Sequence, residues 1–419
     1  MEYQEGATGM ALPALEENVR EALGVFLSGE RSVRGSLRRV SDVWRSFAPL
    51  LPASREAIAA LRRMALSNGA ALNEFERAVG ILEAARSGGN ERDLAEMVAA
   101  GYRLLDSLHE DRVALATAGE HRIATACIDP RDYEERYLRP VAGLHAYAGR
   151  ALKPFIAGLY LHGSLATLDF ACDYSDFDTL IVVRRDVVAD ADRLLAFLPV
   201  YRRSMCFLFE FDPLQHHAHI LLTEIELESY SDTLFPLDVL DHARSLGQDW
   251  DSLRVGRRPA GESMLQEFER VCAAFSRLAE SRYQPDNAYD LKSFLSELML
   301  LPALYLQSLG KPCYKKYSFE ESAPDFPADV WSVMDEASAI RAGWRYERRG
   351  DSLRAAAGRL SEALPASPEI ARRIAANPGS AVVREAARIA GPELVGRAAA
   401  LASEMRLRVR RAAGENRDR

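Results

Sequence analysis

The chain has 419 residues, 48% hydrophobic and 27% charged, with a formal net charge of −8. That is the profile of a globular protein large enough for two or three domains. Its acidic balance argues against extended nucleic-acid binding, which needs a basic face. No basic N-terminal region precedes an apolar core, and no stretch reaches roughly eighteen uninterrupted apolar residues, so neither a secretory leader nor a membrane span is expected. The five cysteines (Cys127, Cys172, Cys206, Cys272, Cys313) are scattered and never in CxxC spacing. They read as reduced thiols of a cytoplasmic protein, not as a disulfide framework or a zinc site.

Residues 1–150 read as a helical accessory or partner-binding domain. Amphipathic segments fall at 15–26, 54–66, 72–85 and 92–108, with breaks at Leu51-Pro52, Gly88-Gly89-Asn90 and Asp129-Pro130. From Phe155 the pattern changes, and 151–255 is expected to be the catalytic unit. Strands are predicted over 155–161 and 178–184, a helix over 187–198, and a hairpin of 204–211 with 218–227 around Asp212-Pro213. Residues 256–365 read as a second helical domain. Its segment 288–309 is apolar on more than one side and closed by Gly310, as a buried helix behind the sheet would be. Residues 366–419 form an Ala- and Arg-rich helical tail whose basic run, Arg406 to Arg411, reads as a solvated face. The fold class is therefore α+β, a central mixed sheet flanked by large N- and C-terminal helical regions.

The most informative stretch is Leu161-His162-Gly163-Ser164 followed by Tyr174-Ser175-Asp176-Phe177-Asp178. It sets a Gly-Ser turn after one apolar segment and two carboxylates at the head of the next. On a strand, positions i and i+2 share a face, so Asp176 and Asp178 can converge on hard cations while Phe177 points into the core. A Gly-Ser turn entering a helix offers backbone N–H groups and a hydroxyl to a phosphate chain. Gly163-Ser164, eleven intervening residues and Asp176-x-Asp178 resemble the signature of the DNA polymerase β-type nucleotidyltransferase superfamily. The resemblance is sharp over about 25 residues and extends to roughly 155–230. It implies a mixed sheet with flanking helices, two Mg²⁺ ions and a nucleoside triphosphate donor, with Gly163 and Ser164 on the phosphates and Asp176 and Asp178 on the metals.

Two-metal transfer also calls for a third carboxylate on a neighbouring strand. Glu210, Asp212, Glu224 and Glu226 are candidates, and Glu224, which follows the apolar Ile220-Leu221-Leu222, is the choice. Four of the eight histidines crowd this region: His162, His216, His217 and His219. A zinc or supporting site, an acid/base group and structural histidines are all open readings; His217 is favoured if one is functional, assisting the acceptor or the leaving group. Only 5 of the 53 basic residues are lysine, and Lys311, Lys315 and Lys316 fall within six positions. The resemblance lets Lys315 and Lys316 serve the donor triphosphate, with Tyr314 or Tyr317 stacking on its base.

The expected activity is transfer of a nucleoside monophosphate from a triphosphate, ATP by default, to a hydroxyl of a small-molecule or protein acceptor, with pyrophosphate released. Asp176, Asp178 and Glu224 would hold the metals. Two rivals stand beside it: a non-catalytic nucleotide-sensing or protein-interaction module that keeps the fold, and a helical scaffold in which the motif is coincidental.

Overall fold

The computed structural model describes residues 91–128, 135–171, 173–215, 217–231, 237–247, 250–259, 263–285, 287–311, 313–344 and 392–417, and parts of a helix within 12–27. The helices expected at 54–66 and 72–85, the breaks at Leu51-Pro52, Gly88-Gly89-Asn90 and Asp129-Pro130, His216, and the start of the tail lie outside the described residues. Helices α1 (Glu91–Ser107) and α2 (His109–Val113) lead into strands β1 (Glu120–Ala124) and β2 (Ala126–Cys127). Helix α3 (Glu135–Tyr147) winds on into a π-helical turn (Ala148–Leu152). Next come β3 (Ile156–Leu161), α4 (Gly163–Ala166), β4 (Thr179–Val183), α5 (Arg185–Val188), α6 (Ala191–Phe211), β5 (Ile220–Thr223) and α7 (Glu224–Leu227). They are followed by α8 (Leu237–Leu240), β6 (Arg244–Ser245), β7 (Ser252–Gly256), α9 (Ser263–Glu280), α10 (Ala288–Ser308), α11 (Lys315–Ser322), α12 (Ala328–Gly343) and α13 (Pro392–Arg417). No helix among the described residues is long and apolar enough to cross a membrane.

The architecture is mixed α and β. Its main sheet has the order β2-β6-β3-β4-β5, in which β3 runs antiparallel to β4 and β6, and β4 runs parallel to β5. Every residue of β4 is buried, as expected of a central strand covered on both faces. Two cores form. One joins the sheet to α1, α3 and α6; the other lies among α9, α10, α12 and α13 and takes in Tyr174 and Leu214 from the sheet unit. The expected buried helix is α10, capped by the Asn287 side chain, which accepts from Asp290 N at 3.0 Å. It closes at Gly310 with φ +72°, where Gly310 N donates to Gln307 O and Lys311 N to Leu306 O. Those bonds satisfy two of the orphan carbonyls at the helix end. The basic run on α13 is an ion-paired face, with Arg406 and Arg410 both on Glu269 of α9.

Two expectations fail. Residues 1–150 are not wholly helical, because β1 pairs with β7 and β2 with β6. Those partners lie more than a hundred residues away, beyond the reach of local periodicity. Residues 204–211 are not a strand of a hairpin but the last turns of α6, which runs through Pro199. Tyr201, Ser204, Met205, Leu208 and Phe211 are buried at helical spacing, and a short apolar run cannot by itself distinguish the two states. Pro199, usually a helix breaker, marks the point at which the predicted helix stopped. The connection from β4 to β5 is therefore a helical crossover, as a parallel pair requires.

A buried ionic network ties the N-terminal segment to the sheet. Arg112, fully buried, donates to Glu16 at 2.9 Å, to Glu228 at 3.3 Å and to the Ile225 carbonyl. Arg258 also reaches Glu16, and Arg20 donates to buried Glu226 at 2.5 Å. Breaking a buried pair by deleting one partner leaves a charge without compensation. Arg112→Met is expected to lose about 3–5 kcal/mol of stability in urea unfolding, and a loss under about 1 kcal/mol would show that the network is not a tether.

Candidate functional site

The site is built where β3 ends and β4 begins. His162 N donates to Asp178 O at 3.2 Å, which holds the two strand ends together. Gly163 then turns with φ +63°, and a Cβ placed on it would overlap the Asp178 carboxylate. Both the left-handed backbone and the close approach require glycine here. Ser164 Oγ donates to Ser175 Oγ at 3.1 Å, and Ser175 Oγ accepts from Ala171 N at 2.9 Å, bracing the loop between the strands. Asp176 and Asp178 are half-buried while Phe177 is buried against Phe211, at 5.1 Å between ring centroids. Phe177 N donates to Gln215 Oε1 at 2.9 Å. The alternation expected of a strand thus begins just before β4.

Asp176, Asp178 and His217 each bring one ligand atom to within 4.8 Å of the others. His217 Nε2 lies 2.9 Å from Asp178 Oδ1. Burial disfavours its imidazolium, but the hydrogen bond and charge of Asp178 prevail and push its pKa up to about 9. Burial likewise opposes ionisation of Asp178, yet His217 and His162 hold its pKa below the usual carboxylate value. Two carboxylates and an imidazole form a fitting donor set for one divalent cation, with a nitrogen ligand that suits manganese or zinc as well as magnesium. A cation bound there has to displace the proton shared with His217.

Glu224 is not at this site. β4 and β5 run in register from Leu180↔Ile220 to Val183↔Thr223, so Glu224 follows the far end of β5, roughly 20 Å along the strands from Asp178 at about 3.3 Å per residue. Its Oε2 accepts from Arg185 N at 2.8 Å, so it ties the start of α5 to the end of β5. Glu226 is paired with Arg20 and Glu210 with Arg139 at 2.9 Å, both away from the site. Asp212 does reach it, through an intermediary. Lys292 of α10, fully buried, donates to Asp176 Oδ1 at 2.7 Å and to Asp212 Oδ2. Burial opposes its ammonium, but Asp176 and Asp212 outweigh that and raise its pKa. A lysine inside an apolar helix requires an acidic partner, and that was the available signal for this contact.

The Gly-Ser turn, the acid pair and the lysine loop open on a single cavity of about 540 Å³ between the adjoining ends of β3 and β4 and the helices α10, α11 and α12. Gly163, Ser164, Asp176, Asp178, Lys315 and Lys316 all line it, as does Arg341, which sequence reasoning missed. Lys315 is half-buried, and burial and Arg341 lower its pKa against the pull of Asp178 and Asp176. Lys316 sits at the rim, 3.3 Å from Asp169. Tyr314 lines the cavity and Tyr317 is exposed; both rings lie against His242, at 4.6 Å and 6.2 Å. His219 is structural: buried, it bridges Thr179 Oγ1 at 2.6 Å and Ser204 Oγ at 2.9 Å, joining β4 to α6. No protein-family model, curated protein or solved structure matches the chain.

Burial lowers the His219 pKa to about 3, against roughly 6.5 in an unfolded chain. The folded protein therefore keeps it neutral while the unfolded chain takes up a proton below pH 6.5, and stability falls as the pH falls through that window. His162, lowered to about 4 by burial, acts in the same direction. Between pH 7 and pH 5 the His219 contribution is about 2 kcal/mol. His219→Gln is expected to lose that much less stability than wild type over the interval in urea unfolding; equal losses would refute the neutral-histidine account.

Proposed function

We propose that this protein is a metal-dependent nucleotidyltransferase, moving a nucleoside monophosphate from a nucleoside triphosphate to a hydroxyl of a small-molecule or protein acceptor. One observation carries the reading. A single cavity has Asp176 and Asp178, the two carboxylates of the Asp-Asp-His cluster, on one wall and Lys315 and Arg341 on another, with the Gly163-Ser164 turn between β3 and the cluster. Such a division of charge complements a triphosphate with its metal: cations face the phosphate oxygens while carboxylates face the ion. The mixed sheet with flanking helices agrees with what the GS…DxD resemblance implies.

Asp176, Asp178 and His217 would hold the cation, which when bound supplies Lewis-acid stabilisation of charge on the phosphates. Gly163 lets the chain pass close to the Asp178 carboxylate, and Ser164 presents its backbone and hydroxyl to the same space. Lys315 and Arg341 bind and orient the phosphate chain, Lys316 adds charge at the rim, and Tyr314 offers a ring for the base; Tyr317, expected to share that role, is exposed and does not line the cavity. The acceptor hydroxyl gives up its proton to solvent as its oxygen attacks the α-phosphorus, the bond from that phosphorus to the α–β bridging oxygen breaks, and pyrophosphate leaves toward the cationic wall. ATP with Mg²⁺ remains the default donor and cofactor.

A second reading is favoured by one observation: among the described residues, the cluster contains no third carboxylate, and His217 stands where Glu224 was expected. A triphosphate-binding module without turnover would need no third acid. The two are separated by following triphosphate binding, and pyrophosphate release from each of the four ribonucleoside triphosphates with Mg²⁺ or Mn²⁺, using a cell extract, whole and deproteinised, to supply protein and small-molecule acceptors. Wild type is expected to turn over one triphosphate, and Asp178→Asn to fold normally and lose at least about 100-fold, the scale of removing a charge-stabilising group. Near-wild-type release by Asp178→Asn contradicts the assignment; binding without release by wild type selects the module.

A further inference from the structure

The least expected group near the cluster is Lys292, an ammonium carried in from the helical unit and wholly enclosed. Its Nζ bridges Asp176 Oδ1 and Asp212 Oδ2. Asp176 thus serves two positive positions at once: the Asp176–Asp178–His217 cluster on one side and the ammonium on the other. One carboxylate shared between two neighbouring cations is the arrangement of a two-metal site, in which the ions lie about 3.5–4 Å apart. Here one of the two positions is filled by a side chain.

The charge balance agrees. Asp176, Asp178 and Asp212 with Lys292 leave two negative charges, which one divalent ion neutralises when His217 is a neutral ligand. Two divalent ions beside a retained ammonium would leave an excess of two positive charges in a largely enclosed space. Lysine is also the residue suited to such a role, being a compact point charge with three donors where arginine is a broad planar fork. In a chain with 5 lysines against 48 arginines, a buried lysine at this point is a selective choice.

On the strength of the cation site read above, we propose that Lys292 is a built-in substitute for the second metal. Its ammonium occupies the Asp176–Asp212 position, so the protein takes one divalent ion per chain, and Lys292 acts as a positioning residue that orients Asp176 toward that ion. Removing the ammonium opens a second cation site between Asp176 and Asp212.

The test counts Mn²⁺ ions per chain by calorimetry and by loss of the free-ion electron paramagnetic resonance signal, without nucleotide. Wild type is expected to bind one ion. Lys292→Ala and the bulk-conserving Lys292→Gln are expected to bind two, with an exchange-coupled spectrum, and Lys292→Gln/Asp212→Asn to return to one. Should Lys292→Ala fail to fold, Lys292→Gln carries the same test. Two ions on wild type, or one on either folded single variant, overturns the substitution, since a lysine that merely held the fold together leaves the count unchanged. No ion on wild type overturns the cation-site reading itself.

Discussion

The Lys292 ammonium between Asp176 and Asp212 joins the two halves of the molecule at its chemical centre. Asp176 precedes β4, Asp212 follows α6, and Lys292 comes from α10 in the other hydrophobic core. Enclosing a charge costs several kcal/mol unless its partners are well placed, so the three groups are competent only when sheet and helical unit are docked. Tyr174 and Leu214, which belong to the sheet unit by sequence and to the helical core by packing, flank the same junction. The Lys292 ammonium lies 5.6 Å from the Tyr174 ring centre. The cavity that holds the proposed chemistry is the gap this docking leaves, with the acids from one unit and Lys315 and Arg341 from the other.

The remaining constraints fix the acid pair from the sheet side. Gly163 brings its backbone against Asp178 where no other residue would fit without strain. His219 pins the start of β4 to α6, and β5 delivers His217 onto Asp178. At the opposite end of the sheet, Arg112 and Glu16 secure the N-terminal segment without touching the site. The N-terminal region therefore supports the sheet and contributes no group to the cavity among its described residues.

What could be read from the sequence was whatever rests on local pattern. β3, β4, α10 and its Gly310 stop are local, and so is the Gly163-Ser164 and Asp176-x-Asp178 spacing; the cavity brings together those four residues with Lys315 and Lys316. What could not be read depends on tertiary pairing. The 204–211 run has strand-like composition and helical burial, and only its packing decides. Treating it as a strand made β5 the return of a hairpin, and Glu224 was chosen only because it follows the apolar Ile220-Leu221-Leu222. With a helical crossover, β5 runs parallel to β4 and presents His217 at the site while Glu224 leaves at the far end. Lys292 was visible as a rare lysine in an apolar helix, but its partners come from two distant segments.

The most direct test is thermal unfolding of wild type and Asp176→Ala/Asp178→Ala with Mg²⁺ or Mn²⁺ and each ribonucleoside triphosphate. Ligand at a hundred times its dissociation constant stabilises the native state by about 2.7 kcal/mol. The account predicts a metal-dependent rise in Tm with one triphosphate in wild type and none in the double variant. No rise with any triphosphate, or an equal rise in both proteins, would contradict it.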